Sequence, residues 1–237
     1  MDLLLKIVNT VDYTTPQLVW FGVGCYLWAI VYVVVIRDIM KKKEVDIPWL
    51  AICFNFVWET YWGLGLLHRD VPGNPATKTD MGSLFVWAYA IWFLLDIYIV
   101  YSMFRYGWKQ HTSESGKKSH VWQAAITLVF LYVAMFFFIP QFDDQIGAYT
   151  GWIVNNVMSL AFVLQKFKQP SFCTSRWVAI LKFLGTGSCN FIVWLRTDLS
   201  SNETLVALTV LFMILDLIFI YLVFTGPKST EPKAQAA

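Results

Sequence analysis

Charged side chains are scarce in this chain. Asp, Glu, Lys and Arg make up 14% of its 237 residues, whereas soluble domains are nearer a quarter charged. Hydrophobic residues make up 57%, and the net charge is only +2. This balance excludes an ordinary soluble domain and indicates a membrane protein. We expect no nucleic-acid partner.

Cysteine and histidine are also few, with four and three residues respectively. Cys25, Cys53 and Cys189 fall in apolar stretches, and Cys173 falls on the side assigned below to the cytoplasm. The histidines lie in loops and share no spacing with a cysteine. The sequence therefore predicts neither a disulfide framework nor a metal site, and we expect no cofactor.

Long apolar runs dominate what remains. Seven stretches of about 20 residues follow one another, each long enough to cross roughly 30 Å of hydrocarbon. The predicted spans are 16–36, 48–67, 82–104, 121–139, 146–165, 177–195 and 204–224. The fold prediction is all-α, a polytopic membrane protein with a seven-transmembrane helix bundle.

The two ends of the chain lie outside these spans. Residues 1–15 lack the basic start and the continuous apolar stretch of a secretory signal. Their apolar residues recur at helical spacing, which predicts an amphipathic helix on the outer surface of the membrane. Residues 225–237 are predicted to form a cytoplasmic tail.

The distribution of basic residues predicts the orientation. Most of the 18 lysines and arginines follow spans one, three, five and seven. Because cytoplasmic loops carry the excess of Lys and Arg, we expect the amino terminus outside or in the lumen and the carboxyl terminus in the cytoplasm. The membrane would be the endoplasmic reticulum of a fungus or the inner membrane of a bacterium.

Two pairs of spans resemble each other. Spans three and seven read LLDIYIVYSMF and ILDLIFIYLVF, which aligns Asp96 with Asp216 and Tyr101 with Tyr221. Spans two and six share CFNFVW and SCNFIVW. The echo is compatible with a parallel 3+1+3 repeat, in which span four joins two units of three spans. Chance similarity between apolar helices remains the alternative.

Three acidic residues fall near the middle of the predicted membrane. A rise of 1.5 Å per residue places Glu59 about 16 Å into span two and Asp216 about 18 Å into span seven. Asp96 lies about 21 Å into span three, and Lys182 is the only lysine within a span. We expect Glu59 and Asp216 to meet at one level of the bundle.

A carboxyl group at this depth of the membrane is energetically costly, which suggests a function for it. An ionised carboxylate costs at least ~2.5 kcal/mol there, so an unpaired one is expected to carry its proton and could act as a general acid. Glu59 and Asp216 are the predicted catalytic acids. Asn55, four residues before Glu59, shares its helical face and could hydrogen-bond it. Asp96 is either a partner of these acids or a packing residue.

Aromatic residues are abundant, with 12 Trp, 11 Tyr and 19 Phe. Some belong to the belts at the membrane surface, but Trp58 directly precedes Glu59. A ring face stabilises a desolvated cation by roughly 0.5–2 kcal/mol. An aromatic cavity beside buried acids therefore favours carbocation chemistry, whereas the alternative is aromatic rings that only fill helix interfaces.

Four stretches resemble the integral-membrane terpene cyclases, which are small seven-span enzymes of fungal meroterpenoid and indole-diterpene pathways with bacterial relatives. The stretches are NFVWETYWG, FLLDIYIVYSMFRYG, FLGTGSCNFIVWLR and ILDLIFIYL. The resemblance covers about residues 20–224. It implies metal-independent cyclisation of a prenylated, often epoxidised, lipophilic substrate that enters from membrane lipid. The residues around the glutamate vary from the family's usual ones, so the substrate itself is not carried over.

The resemblance also implies which residues form the site. The essential acids of the family would be Glu59 and Asp216. Arg196 matches a position where the sixth span of the family ends in arginine; otherwise it would be an ordinary arginine at the membrane surface. The supporting residues expected around the substrate are Asn55, Trp58, Trp62, Asp96, Arg196 and Tyr221.

A small-solute membrane carrier is the alternative function. Parallel three-helix repeats around a polar site at mid-membrane also describe carriers. Carriers usually break their binding helices with Gly or Pro, whereas Pro16, Pro48, Pro140 and Pro170 lie at span ends or in loops. The sequence leaves the oligomeric state open.

Overall fold

The computed structural model describes residues 8–10, 13–64, 83–110, 116–139, 147–173, 175–195 and 200–226. All regular secondary structure in these ranges is helical, as predicted. The long helices are α1 Thr15–Lys42, α2 Trp49–Gly63, α3 Ser83–Tyr106, α4 Gly116–Phe138, α5 Ala148–Lys168, α6 Arg176–Leu195 and α7 Glu203–Thr225. A short 3-10 helix, Gly107–Gln110, extends α3. Most of the predicted amphipathic segment 1–15 and nearly all of the tail 225–237 lie outside the described residues.

Four helical segments are long and apolar enough to cross a membrane. They are Thr15–Lys42, Trp87–Gln110, Gly116–Phe137 and Glu203–Thr225. Helices α2, α5 and α6 coincide with three further predicted spans but are too short or too polar by the same measure; α2, for example, has 15 residues. An integral membrane protein is thus supported, whereas the count of seven spans remains a prediction.

Helix α1 shows how local sequence fixes the ends of an element. Pro16 occupies the first turn, where a missing N–H costs nothing, and Gln17 Oε1 accepts the Thr14 N–H at 2.8 Å. The helix ends at Lys43, which is left-handed with φ 53°, and the Lys43 N–H bonds the Ile39 carbonyl. It therefore continues six residues beyond the predicted span, and its last turn is basic, which suits the negative end of the helix dipole.

Six of the helices form a ring and one lies outside it. Around the ring the order of packed neighbours is α1, α3, α2, α5, α7, α6 and back to α1. Helix α4 packs on the outside, mainly against α2. Its outer face exposes large apolar side chains, namely Trp122, Ile126, Val129, Phe130, Val133, Phe136 and Phe137. An apolar surface of this extent suits contact with lipid.

Glycines bring α1 and α6 into close contact. A Cβ atom on Gly24 would lie 2.6 Å from the Cys189 nitrogen and 2.9 Å from the Gly185 oxygen, both backbone atoms of α6. A Cβ on Gly185 would in turn lie 3.1 Å from the Trp28 ring. Small residues at helix interfaces allow this approach. The contact holds Trp28 and the following turn of α1 against the interior of the ring.

Candidate active site

The three acids predicted near mid-membrane are buried inside the ring. Glu59 is 1% exposed, Asp96 is 2% exposed and Asp216 is 1% exposed. They fall into two groups of polar residues. Glu59 and Asp96 belong to one group with Tyr32 and Asn55, which we call the acid cluster. Asp216 belongs to the other group.

The acid cluster joins three helices through one amide. Asn55 Nδ2, on α2, lies 2.9 Å from Glu59 Oε1 on the same helix and 3.0 Å from Asp96 Oδ2 on α3. The Tyr32 hydroxyl, on α1, also donates to Glu59 Oε1. The spacing of four residues between Asn55 and Glu59 places both side chains on one face of α2, as the sequence predicted.

The remaining oxygen of Glu59 has a different environment. Glu59 Oε2 is buried and receives no hydrogen bond from any described N–H or O–H group. Asn55 Nδ2 bonds an oxygen of Glu59 and an oxygen of Asp96, so the two carboxyls lie side by side around one nitrogen atom. Two carboxylates this close in a dry interior cannot both be ionised. The pair therefore holds at least one proton.

Glu59 lies in the wall of a cavity that we call the aromatic cavity. It holds about 570 Å³ of space free of protein atoms, its open mouth included. The lining comes from α1, α2, α3, α6 and the amino-terminal part of α5 with the residue before it. It comprises Phe21, Trp28, Tyr32, Asn55, Trp58, Glu59, Tyr89, Trp92, Gly147, Gly151, Trp152, Val154, Asn155, Cys189 and Asn190.

Three tryptophans of the aromatic cavity have their N–H groups engaged elsewhere in the protein. The indole of Trp58 donates to Thr150 Oγ1 at 3.0 Å, that of Trp92 to the Cys25 carbonyl at 3.3 Å, and that of Trp152 to Thr209 Oγ1 at 2.6 Å. No lysine, arginine or histidine is among the described lining residues. The rings of these three tryptophans are thus held in fixed positions by their N–H groups.

One of these rings rests on a glycine that no other residue could replace without strain. Gly147 has φ +69°, a left-handed conformation that other residues rarely adopt. A Cβ there would lie 2.9 Å from the Trp58 ring and 3.1 Å from the Trp62 ring. Gly147 therefore lets α5 begin directly against the two tryptophans of α2 and sets the position of Trp58 in the wall.

A second, mostly aliphatic cavity lies on the other side of the acid cluster. It holds about 410 Å³ and shares Trp28, Tyr32 and Asn55 with the aromatic cavity. We call it the aliphatic cavity. Its lining comprises Trp28, Val31, Tyr32, Val35, Ile47, Ala51, Ile52, Asn55, Asp96, Met158, Phe162, Val178 and Lys182. Glu59 thus faces one cavity and Asp96 the other.

Asp216 is paired with a lysine. The distance from Lys182 Nζ to Asp216 Oδ1 is 2.5 Å, and both side chains are 1% exposed. Lys182 also donates to Ser159 Oγ at 2.7 Å. The pair crosses from α6 to α7, with Ser159 on α5. Removing one partner of a buried ion pair leaves a lone charge in the interior, which is costly.

The expected meeting of the two acids does not take place by direct contact. No described contact joins Glu59 to Asp216, and Asp216 is not among the described residues that line either cavity. Lys182 bonds Asp216 and, like Asp96, is one of the residues that line the aliphatic cavity. Sequence reasoning noticed the lone lysine of the spans but did not assign it to this acid.

Only some of the other expected site residues lie at the two cavities. Trp58 lines the aromatic cavity, and Trp62 is fully buried behind it with a ring centroid 6.3 Å from that of Trp58. Tyr221 is 66% exposed on the outside of the bundle, away from both cavities. Arg196 lies outside the described residues. Sequence reasoning missed Tyr32, which looked like one more aromatic residue of an apolar span.

No arrangement for a metal ion is found in the described part of the chain, where no three side chains of His, Cys, Asp or Glu come together. The acid cluster has two carboxyls, one amide and one phenol. Groups of this kind hold and move protons and form hydrogen bonds with a substrate.

Comparisons with known proteins agree with the resemblance seen in the motifs. A family model of Pyr4-like transmembrane terpene cyclases matches residues 13–225. The chain is 22% identical over 172 residues to the Pyr4-family terpene cyclase mfmH of Annulohypoxylon moriforme, covering 70% of this chain and 66% of the relative. It is 30% identical over 87 residues to the terpene cyclase ascF of Acremonium egyptiacum, covering 37% and 27%. The alignments therefore span less than two thirds of either relative.

No solved structure matches the chain, so the family match and the curated relatives are the comparisons that bear on its identity. The family match begins just before α1 and ends at the last residue of α7, so it includes every described helix. It also includes the acid cluster, both cavities and the Lys182–Asp216 pair. On this basis the chain belongs to the family of Pyr4-like transmembrane terpene cyclases.

Proposed function

We propose that this chain is a membrane-embedded terpene cyclase in which Glu59 starts the reaction by protonating a prenylated substrate. The proposal depends on one observation above all. A buried carboxyl lies in the wall of an aromatic cavity with one oxygen bonded by two donors and the other oxygen bonded by none. The family and the names of its members supply the class of reaction.

The hydrogen bonds of Glu59 indicate where its proton resides. Tyr32 and Asn55 both donate to Oε1, so Oε1 acts as the acceptor oxygen of the carboxyl. A neutral carboxyl then carries its proton on Oε2. Glu59 would donate this proton to an epoxide oxygen or to a terminal alkene carbon of the substrate. With an epoxide, the C–O bond breaks, an O–H bond forms and a carbocation remains on the substrate.

The walls of the aromatic cavity suit the next steps. Each ring closure moves the positive charge along the prenyl chain, and an aromatic face stabilises such a charge by roughly 0.5–2 kcal/mol. Trp58, Trp92 and Trp152 hold their rings in fixed positions through their N–H bonds. A base or a water molecule ends the cascade by taking a proton or adding to the cation.

Asp216 is assigned a supporting role rather than that of proton donor. Its Oδ1 is bonded by Lys182 at 2.5 Å, and Asp216 is not among the described residues that line either cavity, so a substrate held in a cavity would not contact its carboxyl. Asp216 would keep Lys182 and Ser159 in place at the aliphatic cavity. This assignment leaves Glu59 as the acid and Asp96 as the carboxyl that shares its proton.

The ring order supports the 3+1+3 repeat. The repeat pairs α1 with α5, α2 with α6 and α3 with α7. When the helices of each pair are interchanged, every two neighbours in the ring become another two neighbours. Helix α4, which joins the two units, lies outside the ring. Asp96 and Asp216 then occupy the third helix of each unit. We propose seven spans on this basis, with the amino terminus outside or lumenal, in the endoplasmic reticulum of a fungus if the chain is fungal like its two relatives.

The test is conversion of a substrate by membranes that contain the chain. Microsomes would receive a prenylated phenol with a terminal epoxide, in the presence of EDTA, and the products would be separated and identified. We expect cyclised isomers of the substrate from the wild type and none from Glu59→Gln. Equal product from Glu59→Gln would overturn the role of Glu59, and solute flux without cyclisation would favour a carrier.

A further inference from the structure

Asn190 lines the aromatic cavity and has an unbonded side-chain oxygen. The residue lies on α6, is 1% exposed, and lines the cavity together with Glu59. Its Nδ2 donates to the Thr186 carbonyl at 2.6 Å. Its Oδ1 is buried and receives no hydrogen bond from the described residues.

The orientation of this amide is fixed by chemistry. The atom near the Thr186 carbonyl must be a donor, because a carbonyl oxygen can only accept a hydrogen bond. It is therefore the nitrogen of Asn190, and the oxygen points away from the backbone of α6. A buried oxygen without a donor is rare and costs free energy in the empty site, which indicates a role when the site is occupied.

The surroundings indicate what the oxygen would contact. The rest of the wall is mainly aromatic, with the Glu59 carboxyl, the Asn55 and Asn155 amides and Cys189, and no positively charged side chain is among its described residues. An amide oxygen held among ring faces carries partial negative charge toward the cavity. A positive charge that develops on a bound substrate would be stabilised by this preorganised dipole, since dry surroundings weaken it little.

We propose that Asn190 is a catalytic residue whose Oδ1 stabilises a carbocation formed after Glu59 has opened the substrate. This inference rests on the proposed cyclisation and adds a group that acts after initiation. Without the oxygen the cation would lose a proton from a neighbouring carbon to the Glu59 carboxylate before all rings close. Each ring left open retains one more C=C bond, and every product remains an isomer of the substrate.

The test compares product patterns at equal amounts of folded protein. Asn190→Leu and Asn190→Ser remove the oxygen, and Asn190→Asp retains one when its carboxyl is protonated. With the epoxidised prenyl phenol as probe, we expect the ratio of incompletely to fully cyclised isomers to rise about tenfold or more in the first two variants. Asn190→Asp should restore most of the wild-type pattern.

Asn156 provides a matched control. Its Nδ2 also donates to the carbonyl four residues earlier, at 2.9 Å, and its Oδ1 is also buried without a donor. It is not among the residues that line either cavity. We expect Asn156→Leu to lower thermal stability while it keeps the wild-type ratio of products.

Three outcomes would overturn the inference. The first is a wild-type ratio of incompletely to fully cyclised isomers in both Asn190→Leu and Asn190→Ser. The second is a rise of this ratio in Asn156→Leu that is as large as the rise in Asn190→Leu. A raised KM with an unchanged ratio would show that the oxygen only binds a hydroxyl group of the substrate. If the wild type itself made no cyclised product, the proposed function would fail first.

Discussion

At the scale of single residues, the acid cluster divides the work of one carboxyl between its two oxygens. Tyr32 and Asn55 bond Oε1 of Glu59, whereas Oε2 has no described donor and is the oxygen that carries the proton in the proposed mechanism. The donors also hold the carboxyl in one rotamer, so the acidic proton points in a constant direction. This arrangement makes Tyr32 a positioning residue for the acid.

We expect Tyr32→Phe to lower kcat about tenfold, because it removes one donor and leaves the ring in place. KM should change little, and rates measured from pH 5 to 9 should decline with rising pH in a different range from that of the wild type. Tyr26→Phe on the same helix is the control, since Tyr26 is 69% exposed and should behave as wild type. An unchanged kcat and pH profile in Tyr32→Phe would contradict the assignment.

The ion pair of Lys182 and Asp216 gives a second residue-scale prediction. Lys182→Met or Asp216→Asn alone leaves a buried charge unpaired and should lower the free energy of unfolding by about 3–5 kcal/mol. The double variant Lys182→Met, Asp216→Leu should recover most of that loss. Thermal unfolding in detergent measures both effects.

The activity of the same double variant tests the role of Asp216. If the carboxyl acts only through Lys182, a stable double variant should still form cyclised product, at a reduced rate. A double variant that is as stable as the wild type but makes no product would assign Asp216 to the chemistry itself.

Sequence reasoning found the acids but not their partners. Helix rise gives depth, and depth alone identified Glu59, Asp96 and Asp216 as buried, which they are. Contacts depend also on the rotation of each helix and on which helices are neighbours. Lys182 pairs with Asp216 because α6 packs beside α7, a fact about the ring that one sequence does not contain. Asn55 and Glu59 were paired correctly because their contact lies within one helix.

At the scale of helices, the contact of α1 with α6 positions both cavities. Trp28 lies in both walls, and Cys189 and Asn190 of α6 lie in the aromatic cavity. Gly24 and Gly185 allow the two backbones to approach. The composition of span one gave no sign of this contact, because Gly22 and Gly24 look equivalent in the sequence while only Gly24 faces α6.

Replacing Gly24 and Gly22 by alanine, one at a time, tests whether only Gly24 faces α6. Gly24→Ala places a methyl group against backbone atoms that cannot move aside, and we expect a loss of stability of about 1–3 kcal/mol. Gly22→Ala meets no atom within 4 Å and should be neutral or slightly stabilising, because alanine favours the helix. Thermal unfolding of both variants in the same detergent would measure the contrast, and equal losses would contradict the close contact.

At the scale of the whole molecule, the ring separates an interior that holds the buried acids and both cavities from an apolar exterior. The acids are turned inward, while the exposed face of α4 and Tyr221 on α7 point outward. Hydropathy and charge in the sequence predicted a bundle of membrane-spanning helices. Four helices are apolar enough to span a membrane, and basic residues follow every second apolar stretch. Helix α2 is not counted as a span because it has only 15 residues. Helices α5 and α6 carry polar residues of the interior, namely Asn155, Ser159, Lys182 and Asn190.

The number of spans can be tested by the location of the chain ends. An odd number places the two ends on opposite sides of the membrane, and the excess of Lys and Arg after alternate spans predicts a cytoplasmic carboxyl terminus. In sealed microsomes, an epitope tag at the carboxyl terminus should be removed by added protease, whereas one at the amino terminus should be protected until detergent is added. Removal of both tags from sealed vesicles would require an even number of spans. At least one of α2, α5 and α6 would then not cross the bilayer, although all three contribute to the site.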